Sequence, residues 1–242
     1  MARALAAGMR DVDEAGLVEA EIILSILPPG DAMALAERLA PALRAARRKP
    51  VFVDCNAVDV RTVQAVAAVI EATGTPFVDW GIIEFPPKPG LPGPSFYLPG
   101  EAAAGVGPVL ARLGLQVRVM AGPVGAASAL KMSYAGITKG LAAIATIMIL
   151  GADRAGAGAE LRAELAASQP QLLARFVASL PEMVPKAYRW VAEMREIAAF
   201  LEGDMAGSAV FEGIAALYAR IAADAAGERV EVGVIEAFVH KP

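Results

Sequence analysis

The first third of the chain alternates short apolar runs with amphipathic helical segments, a pattern that few folds can accommodate. Residues 21–27 form an apolar run that Pro28-Pro29-Gly30 ends, as is typical of a strand buried on both faces of a sheet. Asp31 is expected to cap the following helix, in which a leucine recurs every fourth residue between 35 and 43. Val51–Asp54 predicts the next strand. Such strand-helix-strand units predict a parallel sheet.

The alternation continues with a helix expected from about Asp59 and a third strand over Pro76–Ile83. The next segment, Glu84–Pro94, is rich in proline and glycine, which indicates a loop between strands. Beyond it the patterns predict a strand, a helix and a strand, over 95–98, 101–113 and 116–120. The expected fold class is therefore α/β, with a doubly wound parallel sheet.

From Ala126 onward the sequence indicates helices. They are expected around 126–152, 159–167, 170–180, 182–202 and 207–226. Val230–Ile235 is rich in valine and predicts an edge strand or an extended tail. The sequence thus predicts an α/β domain over 1–122 and an all-helical domain over 123–242.

Composition excludes several classes of protein. Of the 242 residues, 56% are hydrophobic and 20% are charged, so the chain can bury a substantial core. A net charge of -4 without a long basic run argues against nucleic-acid binding. One cysteine, Cys55, and one histidine, His240, favour neither a disulfide framework nor a metal site. The apolar run 140–152 is too short to cross a bilayer and the first ten residues do not resemble a signal peptide, so we expect a cytoplasmic protein.

One lysine stands in the first turns of the most apolar helix. The segment Gly122-Pro-Val-Gly125 predicts a turn that opens this helix, and Lys131 follows among alanine, leucine and methionine. Burying a cation in such surroundings is unfavourable. Lys131 therefore either extends its apolar stem to reach solvent, or is buried because its function needs an amine with a lowered pKa.

The order of these elements and the residues at their ends resemble the β-hydroxyacid dehydrogenase superfamily, which includes 3-hydroxyisobutyrate and 6-phosphogluconate dehydrogenases. The resemblance covers nearly the whole chain and is carried by Ser128–Met132, Ala135–Gly140 and Arg189–Ala198. It implies an incomplete Rossmann-like dinucleotide-binding domain followed by a 6-phosphogluconate-dehydrogenase-like domain for substrate binding and dimerisation. It also implies an NAD(P)-dependent oxidoreductase that acts on a hydroxyacid-like substrate.

The resemblance implies roles for individual residues. Lys131 would act as general base or acid at the substrate hydroxyl while hydride moves between the substrate carbon and the nicotinamide. Pro28, Pro29 and Gly30 would lie along the cofactor ribose. Asn56 would lie near the nicotinamide, and it fits equally well as a cap of the turn after its strand. The residues expected on the substrate side are Glu84, Gly125, Ser128 and Tyr134.

Three positions depart from the superfamily pattern. Ala135 stands where an asparagine usually holds the substrate, four residues after the lysine. Ile82–Phe85 replaces a Ser-Gly-Gly that often binds the substrate carboxylate, and its Glu84 would repel a carboxylate. A second lysine, which the superfamily carries in its helical domain, has no counterpart in this sequence, and Arg189 is the nearest cation to that position. These departures predict a substrate other than the standard small hydroxyacid.

The superfamily opens with a strand and a Gly-x-Gly-x-x-Gly turn that binds the cofactor pyrophosphate, and this sequence contains no such segment. Without a preceding strand, residues 22–27 would form an exposed sheet edge. The chain is therefore interpreted as a shortened dehydrogenase or a functional short form, and cofactor binding is expected to be weak. The alternative function is a non-catalytic dimeric module, whereas Lys131 argues against imine reduction, in which that lysine is typically lost.

We also expect a homodimer. The helix over 126–150 is apolar nearly all round. It therefore presents a larger apolar surface than a single small helical domain can cover. The superfamily resemblance likewise implies a dimer through the helical domains. The sequence favours a small molecule as the other partner, and neither nucleic acid nor a membrane.

Overall fold

The computed structural model describes residues 5–83 and 93–240. It divides into two compact units, Met1–Lys131 and Met132–Pro242. Each unit has its own architecture: the first contains two three-stranded sheets with their flanking helices, and the second is built from helices.

The first sheet of unit one is parallel and lies in the order β1-β2-β3. Its strands are β1 (Ile22–Ser25), β2 (Val51–Asp54) and β3 (Phe77–Asp79). β1 is the outer strand, and its Leu24 is 43% exposed. The run predicted to be buried on both faces is buried on the face of Ile23 and Ser25, where helices pack, and exposes Leu24 on the other face.

Three helices belong to this part of the chain: α1 (Glu14–Leu17), α2 (Ala32–Ala45) and α3 (Val60–Glu71). The apolar stripes of α2 and α3 pack with Ile23, Phe52 and Phe77 of the sheet in one buried cluster. Asp59 caps α3 by accepting the N–H groups of the helix's first turn. Asp31 occupies the N-cap position of α2 as predicted, but its side chain makes no capping hydrogen bond, because its backbone is already helical at the end of a 3-10 turn.

The second sheet has the order β4-β5-β6, with β4 antiparallel and β6 parallel to β5. Its elements are β4 (Gly81–Ile83), β5 (Ser95–Pro99), α4 (Glu101–Arg112) and β6 (Gln116–Met120). The prediction of one strand over Pro76–Ile83 is wrong, because the run divides at Trp80 into β3 and β4. Buried Trp80 packs edge-on against Phe96 of the second sheet, at 5.0 Å between ring centroids. Most of the loop predicted over Glu84–Pro94 lies outside the described residues.

The second unit follows the predicted succession of helices. They are α5 (Ala126–Arg154, which begins in the first unit), α6 (Gly158–Ser168), α7 (Pro170–Met183), a 3-10 turn (Val184–Lys186), α8 (Ala187–Phe200), α9 (Met205–Ala226) and α10 (Val230–His240). Together with the small parallel sheet, this largely helical part confirms the predicted fold class.

The expectation of a strand or tail over Val230–Ile235 is wrong, since the segment begins α10. Both carboxylate oxygens of Asp224 accept backbone N–H groups at its start, from Val230 and Val232. Val232, Ile235 and Phe238 recur every third residue and are buried, so these three residues form the apolar face of a helix. A remote cap and tertiary burial override the β propensity of valine.

The apolar run 140–152 lies within α5. By length and composition alone, α5 and α9 are each long and apolar enough to cross a membrane, a test that core helices of soluble proteins also pass. In the second unit, the surface of α5 exposes Ile137, Ile144 and Met148.

Candidate functional site

Three polar side chains lie side by side where the strands of the parallel sheet end. The register pairs Ser25 of β1 with Asp54 of β2, and Asp54 with Asp79 of β3. All three residues are at most 2% exposed. Buried polar and charged groups are unfavourable unless they are hydrogen-bonded or paired, so this row defines the candidate site of the first unit.

Asp79 anchors the start of α5. One carboxylate oxygen accepts the backbone N–H groups of Gly125, Ala127 and Ser128 at 2.9, 3.1 and 3.2 Å, and the other accepts the Ser128 hydroxyl at 3.0 Å. These are N–H groups that a helix start leaves without an intrahelical partner. An anion at this end also interacts favourably with the helix dipole. Asp79 therefore fixes the first turn of α5 to the sheet.

The glycine turn before α5 permits this close approach. Gly125 has φ +100, a conformation that L side chains rarely adopt, and an added Cβ would lie 2.8 Å from Cγ1 of Val60. Gly125 therefore contributes its backbone N–H and its lack of a side chain. Ser128 contributes its hydroxyl to Asp79, so both predicted substrate-side residues also serve to hold the helix.

Lys131 lies three residues after Ser128, so it shares the helix face that Asp79 contacts. Side chains on a helix lean toward its N-terminus, here toward the ends of β2 and β3. Lys131 is half-buried. Burial lowers the pKa of its amine, while Cys55, Asp54 and Asp79 act in the opposite direction. The amine thus loses its proton more readily than an ordinary lysine, as general base chemistry requires.

Asp54 is the least satisfied member of the row. Its Oδ1 accepts the backbone N–H of Asn56 at 2.8 Å, while its buried Oδ2 has no hydrogen-bond partner among the described residues. Burial raises the pKa of Asp54 to about 6. The backbone and the side-chain amide of Asn56 and the charge of Lys131 lower this pKa, and the charge of Asp79 raises it further. The Cys55 thiol beside it is buried, and burial also raises its pKa.

Asn56 connects the ends of β1 and β2. Its Oδ1 accepts the N–H of Leu27 at 2.6 Å, and its Nδ2 donates to the Ser25 hydroxyl at 2.9 Å. This is the capping role weighed in the sequence analysis, since the amide holds the chain as it leaves β1. Its position near a nicotinamide stays a prediction.

The segment after β1 turns at the carboxyl end of the sheet. The carbonyl of Pro28 accepts the N–H of Asp31 at 3.0 Å, and Pro28 and Gly30 are exposed. A Cβ added at Gly30 would meet no atom within 4 Å, so a ligand can approach this backbone. The position of this segment, Pro28 to Gly30, along the cofactor ribose stays a prediction. No described strand is followed by a Gly-x-Gly-x-x-Gly turn and a helix, so the described residues offer no pyrophosphate cradle of that type.

The structure brings Asn56, Gly125, Ser128 and Lys131 to one end of one sheet. Tyr134 belongs to the second unit and is 46% exposed, and Glu84 lies outside the described residues. Asp54 and Asp79 belong to the candidate site but were not among the residues predicted for it. Each ends an apolar run of valine and phenylalanine, and an aspartate at the end of a buried strand is the signal that identifies them.

Comparison with known proteins places the fold. Residues 152–221 match a family described as a domain of unknown function, DUF1932. No protein of curated function matches the chain in sequence. A conserved hypothetical protein from Sinorhizobium meliloti is similar in structure, with 24% identity, a TM-score of 0.72 and coverage of 98% of this chain and 82% of that one.

Two further solved structures carry informative descriptions. A conserved protein of unknown function, described as structurally similar to 3-hydroxyacid dehydrogenases, has 23% identity and a TM-score of 0.72, covering 95% of this chain and 84% of that one. The 3-hydroxyisobutyrate dehydrogenase of Mycobacterium tuberculosis, solved with L-serine, has 18% identity and a TM-score of 0.62, covering 93% of this chain and 81% of that one. The expected fold is thus confirmed: the chain shares the fold of solved proteins described as a 3-hydroxyisobutyrate dehydrogenase and as similar to 3-hydroxyacid dehydrogenases.

Proposed function

We propose that the protein is an NAD(P)-dependent oxidoreductase that acts on a hydroxyacid-like substrate, with Lys131 as its general acid and base. One observation carries the proposal: α5 begins at the carboxyl ends of β2 and β3 and presents there a half-buried lysine whose pKa is lowered. In open α/β sheets this is the edge at which ligands bind.

The chemistry follows from the properties of that amine. In the direction of oxidation, the neutral amine of Lys131 takes the proton of the substrate hydroxyl as the C–H hydrogen leaves with its electron pair. In the direction of reduction, the ammonium returns the proton to the forming alkoxide. An amine whose pKa lies closer to neutral pH can do both, and burial supplies that change in Lys131.

A bound nicotinamide cofactor would accept or donate the hydride. The residues that would hold it are Pro28, Pro29 and Gly30 along the ribose, with Asn56 fixing the chain beside them. Because the described residues lack the Gly-x-Gly-x-x-Gly cradle, we expect weak binding and give no preference for NAD or NADP.

The hydroxyacid class is supported by the fold shared with 3-hydroxyisobutyrate dehydrogenase. The backbone around Gly125 and Ser128 is bound to Asp79, so it provides a fixed platform beside Lys131. Glu84 and Tyr134 stay candidate substrate contacts. With Ala135 in place of an amide side chain, we expect a substrate other than the standard small hydroxyacids.

Titration of NADH and NADPH into the purified protein, followed by nicotinamide fluorescence, tests the proposal. Gly30→Val places a branched side chain in open space beside the ribose segment, and it should weaken binding without disturbing the fold. Gly203→Val is the matched control, because Gly203 is a turn glycine of the second unit whose Cβ position is equally open.

Sub-millimolar binding that Gly30→Val weakens and Gly203→Val does not would support the enzyme. Absence of binding would favour the alternative, a non-catalytic dimeric module, for which the supporting observation is that the described residues contain no Gly-x-Gly-x-x-Gly cradle. We also propose a cytoplasmic homodimer that associates through the second unit, where α5 exposes Ile137 at 70%, Ile144 at 55% and Met148 at 56%.

A further inference from the structure

Two buried carboxyl groups lie next to each other in the first sheet. Asp54 and Asp79 are paired in register on the neighbouring parallel strands β2 and β3, and neighbouring strands are about 4.8 Å apart. Both residues are 1% exposed. Two negative charges at this spacing inside a protein repel each other, so one carboxyl group tends to take up a proton.

The two carboxyl groups are stabilised very differently. Burial raises the pKa of Asp79 as well, but Asp79 accepts four hydrogen bonds from the start of α5, and these donors lower its pKa by favouring the ionised form. Asp54 accepts one bond from Asn56, and its buried Oδ2 has no partner among the described residues. Asp54 is therefore the member of the pair that binds the proton, and Oδ2 is the atom available for it.

Lys131 is the cation whose charge acts on Asp54. It stands one helical turn beyond Ser128, which is bonded to Asp79, so the amine, Asp54 and Asp79 belong to one cluster. An ammonium beside two carboxylates would ordinarily stay charged, which is unfavourable for a general base. The unpartnered oxygen of Asp54 is an acceptor to which the amine can transfer its proton.

We propose that Asp54 is the proton partner of Lys131. One proton passes between them, directly or through one water: an N–H bond of the Lys131 ammonium breaks, an O–H bond forms at Asp54 Oδ2, and the amine becomes neutral. The reverse step restores the ion pair. The catalytic meaning of this inference rests on the proposed function. Asp54 does not contact the substrate in this scheme; it acts through Lys131, as a positioning residue that accepts and returns the amine proton.

The other groups around Asp54 determine how the pair responds to pH. β3 contributes the Asp79 carboxylate and α5 contributes Lys131. Cys55, next in the chain, has a raised pKa and stays a neutral thiol near neutral pH. β1 contributes the uncharged hydroxyl of Ser25, which accepts a bond from Asn56. Asp54 and Lys131 therefore exchange a proton beside a second buried carboxyl group, whose pKa is raised by burial and lowered by its hydrogen bonds to Gly125, Ala127 and Ser128.

Carbon-13 NMR of protein labelled at the aspartate side chains tests the pair without cofactor or substrate. The Asp54 carboxyl signal, assigned by through-bond correlation, should titrate near pH 6 rather than in the ordinary acid range. Lys131→Met removes the cation but keeps an apolar stem, and it should raise the pKa of Asp54 by about one unit or more. Lys186→Met, a lysine substitution in the second unit, is the control and should cause no shift.

The converse variant is Asp54→Asn, read by nitrogen-15 NMR of the lysine amine. It should lower the pKa of Lys131, because a negative charge has been removed from its surroundings. If Asp54→Asn fails to fold, the Lys131→Met titration still decides the question. The inference would be overturned if Asp54 titrates in the ordinary acid range, or if the pKa of Asp54 does not change in Lys131→Met.

These outcomes are independent of turnover. If Asp54 and Lys131 are coupled but the protein binds no nicotinamide cofactor, this inference holds and the proposed function is wrong. If the protein binds cofactor and turns over but Asp54 and Lys131 are not coupled, the proposed function holds and this inference is wrong.

Discussion

Replacing Asp54 by asparagine should change how stability depends on pH. In the folded protein the pKa of Asp54 is raised from the ordinary 3.8 to about 6, so between these values the folded state binds more protons than the unfolded chain. The stability that the protonated carboxyl contributes is present below pH 3.8 and is lost as pH rises through about 6. Each pKa unit corresponds to about 1.4 kcal/mol, so the loss totals about 3 kcal/mol.

Asparagine has nearly the same shape and cannot ionise. Asp54→Asn should therefore be close to wild type in stability near pH 4 and become the more stable of the two, by up to about 3 kcal/mol, near pH 7. Urea denaturation at a series of pH values measures this difference. The chain has two tryptophans, one in each unit. A Trp190→Phe background leaves Trp80, which is buried in the first unit, as the reporter.

Two results would refute this reasoning. A stability difference that does not change with pH would show that the pKa of Asp54 is not raised on folding. A variant that loses stability relative to wild type as pH rises would show that Asp54 is a stabilised carboxylate, held by Lys131 as a permanent ion pair.

Three further variants test the anchoring of α5 and the assembly. Asp79→Ala leaves three N–H groups of the helix start without their acceptor and should cost about 3 kcal/mol in urea denaturation, with Asp79→Asn roughly half as costly. Gly125→Ala forces a side chain into φ +100 and against Val60, so it should lower the unfolding free energy by about 1 to 3 kcal/mol. Ile144→Lys should convert a dimer into a monomer in sedimentation at micromolar concentration, whereas Leu113→Lys in the first unit should not. A wild-type monomer would contradict the proposed dimer.

Most of the fold follows from local pattern. Strands β1 and β2 and the helices from α2 to α9 lie where apolar periodicity and turn residues place them, and most of these elements bury a regular face, although α6 buries no residue. Local pattern does not predict an element correctly where a residue distant in the sequence determines its conformation. Trp80 divides one apolar run between two sheets, and Asp224 caps α10 from the preceding helix.

The candidate site shows the same division. Lys131 is visible in the sequence because it is a cation in the first turns of the most apolar helix, where burial of a charge is unfavourable. Asp54 and Asp79 are 25 residues apart in the chain numbering and become neighbours through the register of β2 and β3. Asp79 acquires its partners from residues 125–128. A single sequence does not give these pairings, since strand register depends on tertiary packing.

Turnover with and without the Lys131 amine tests the central claim most directly. Hydride transfer from a panel of hydroxyacids, including L-serine, to NAD and NADP is followed by nicotinamide absorbance in wild type and in Lys131→Met. We expect the wild-type protein to turn over and the turnover rate to fall about a hundredfold or more in the variant. Equal turnover in the two proteins would contradict this expectation, as would a wild-type protein that reduces neither cofactor.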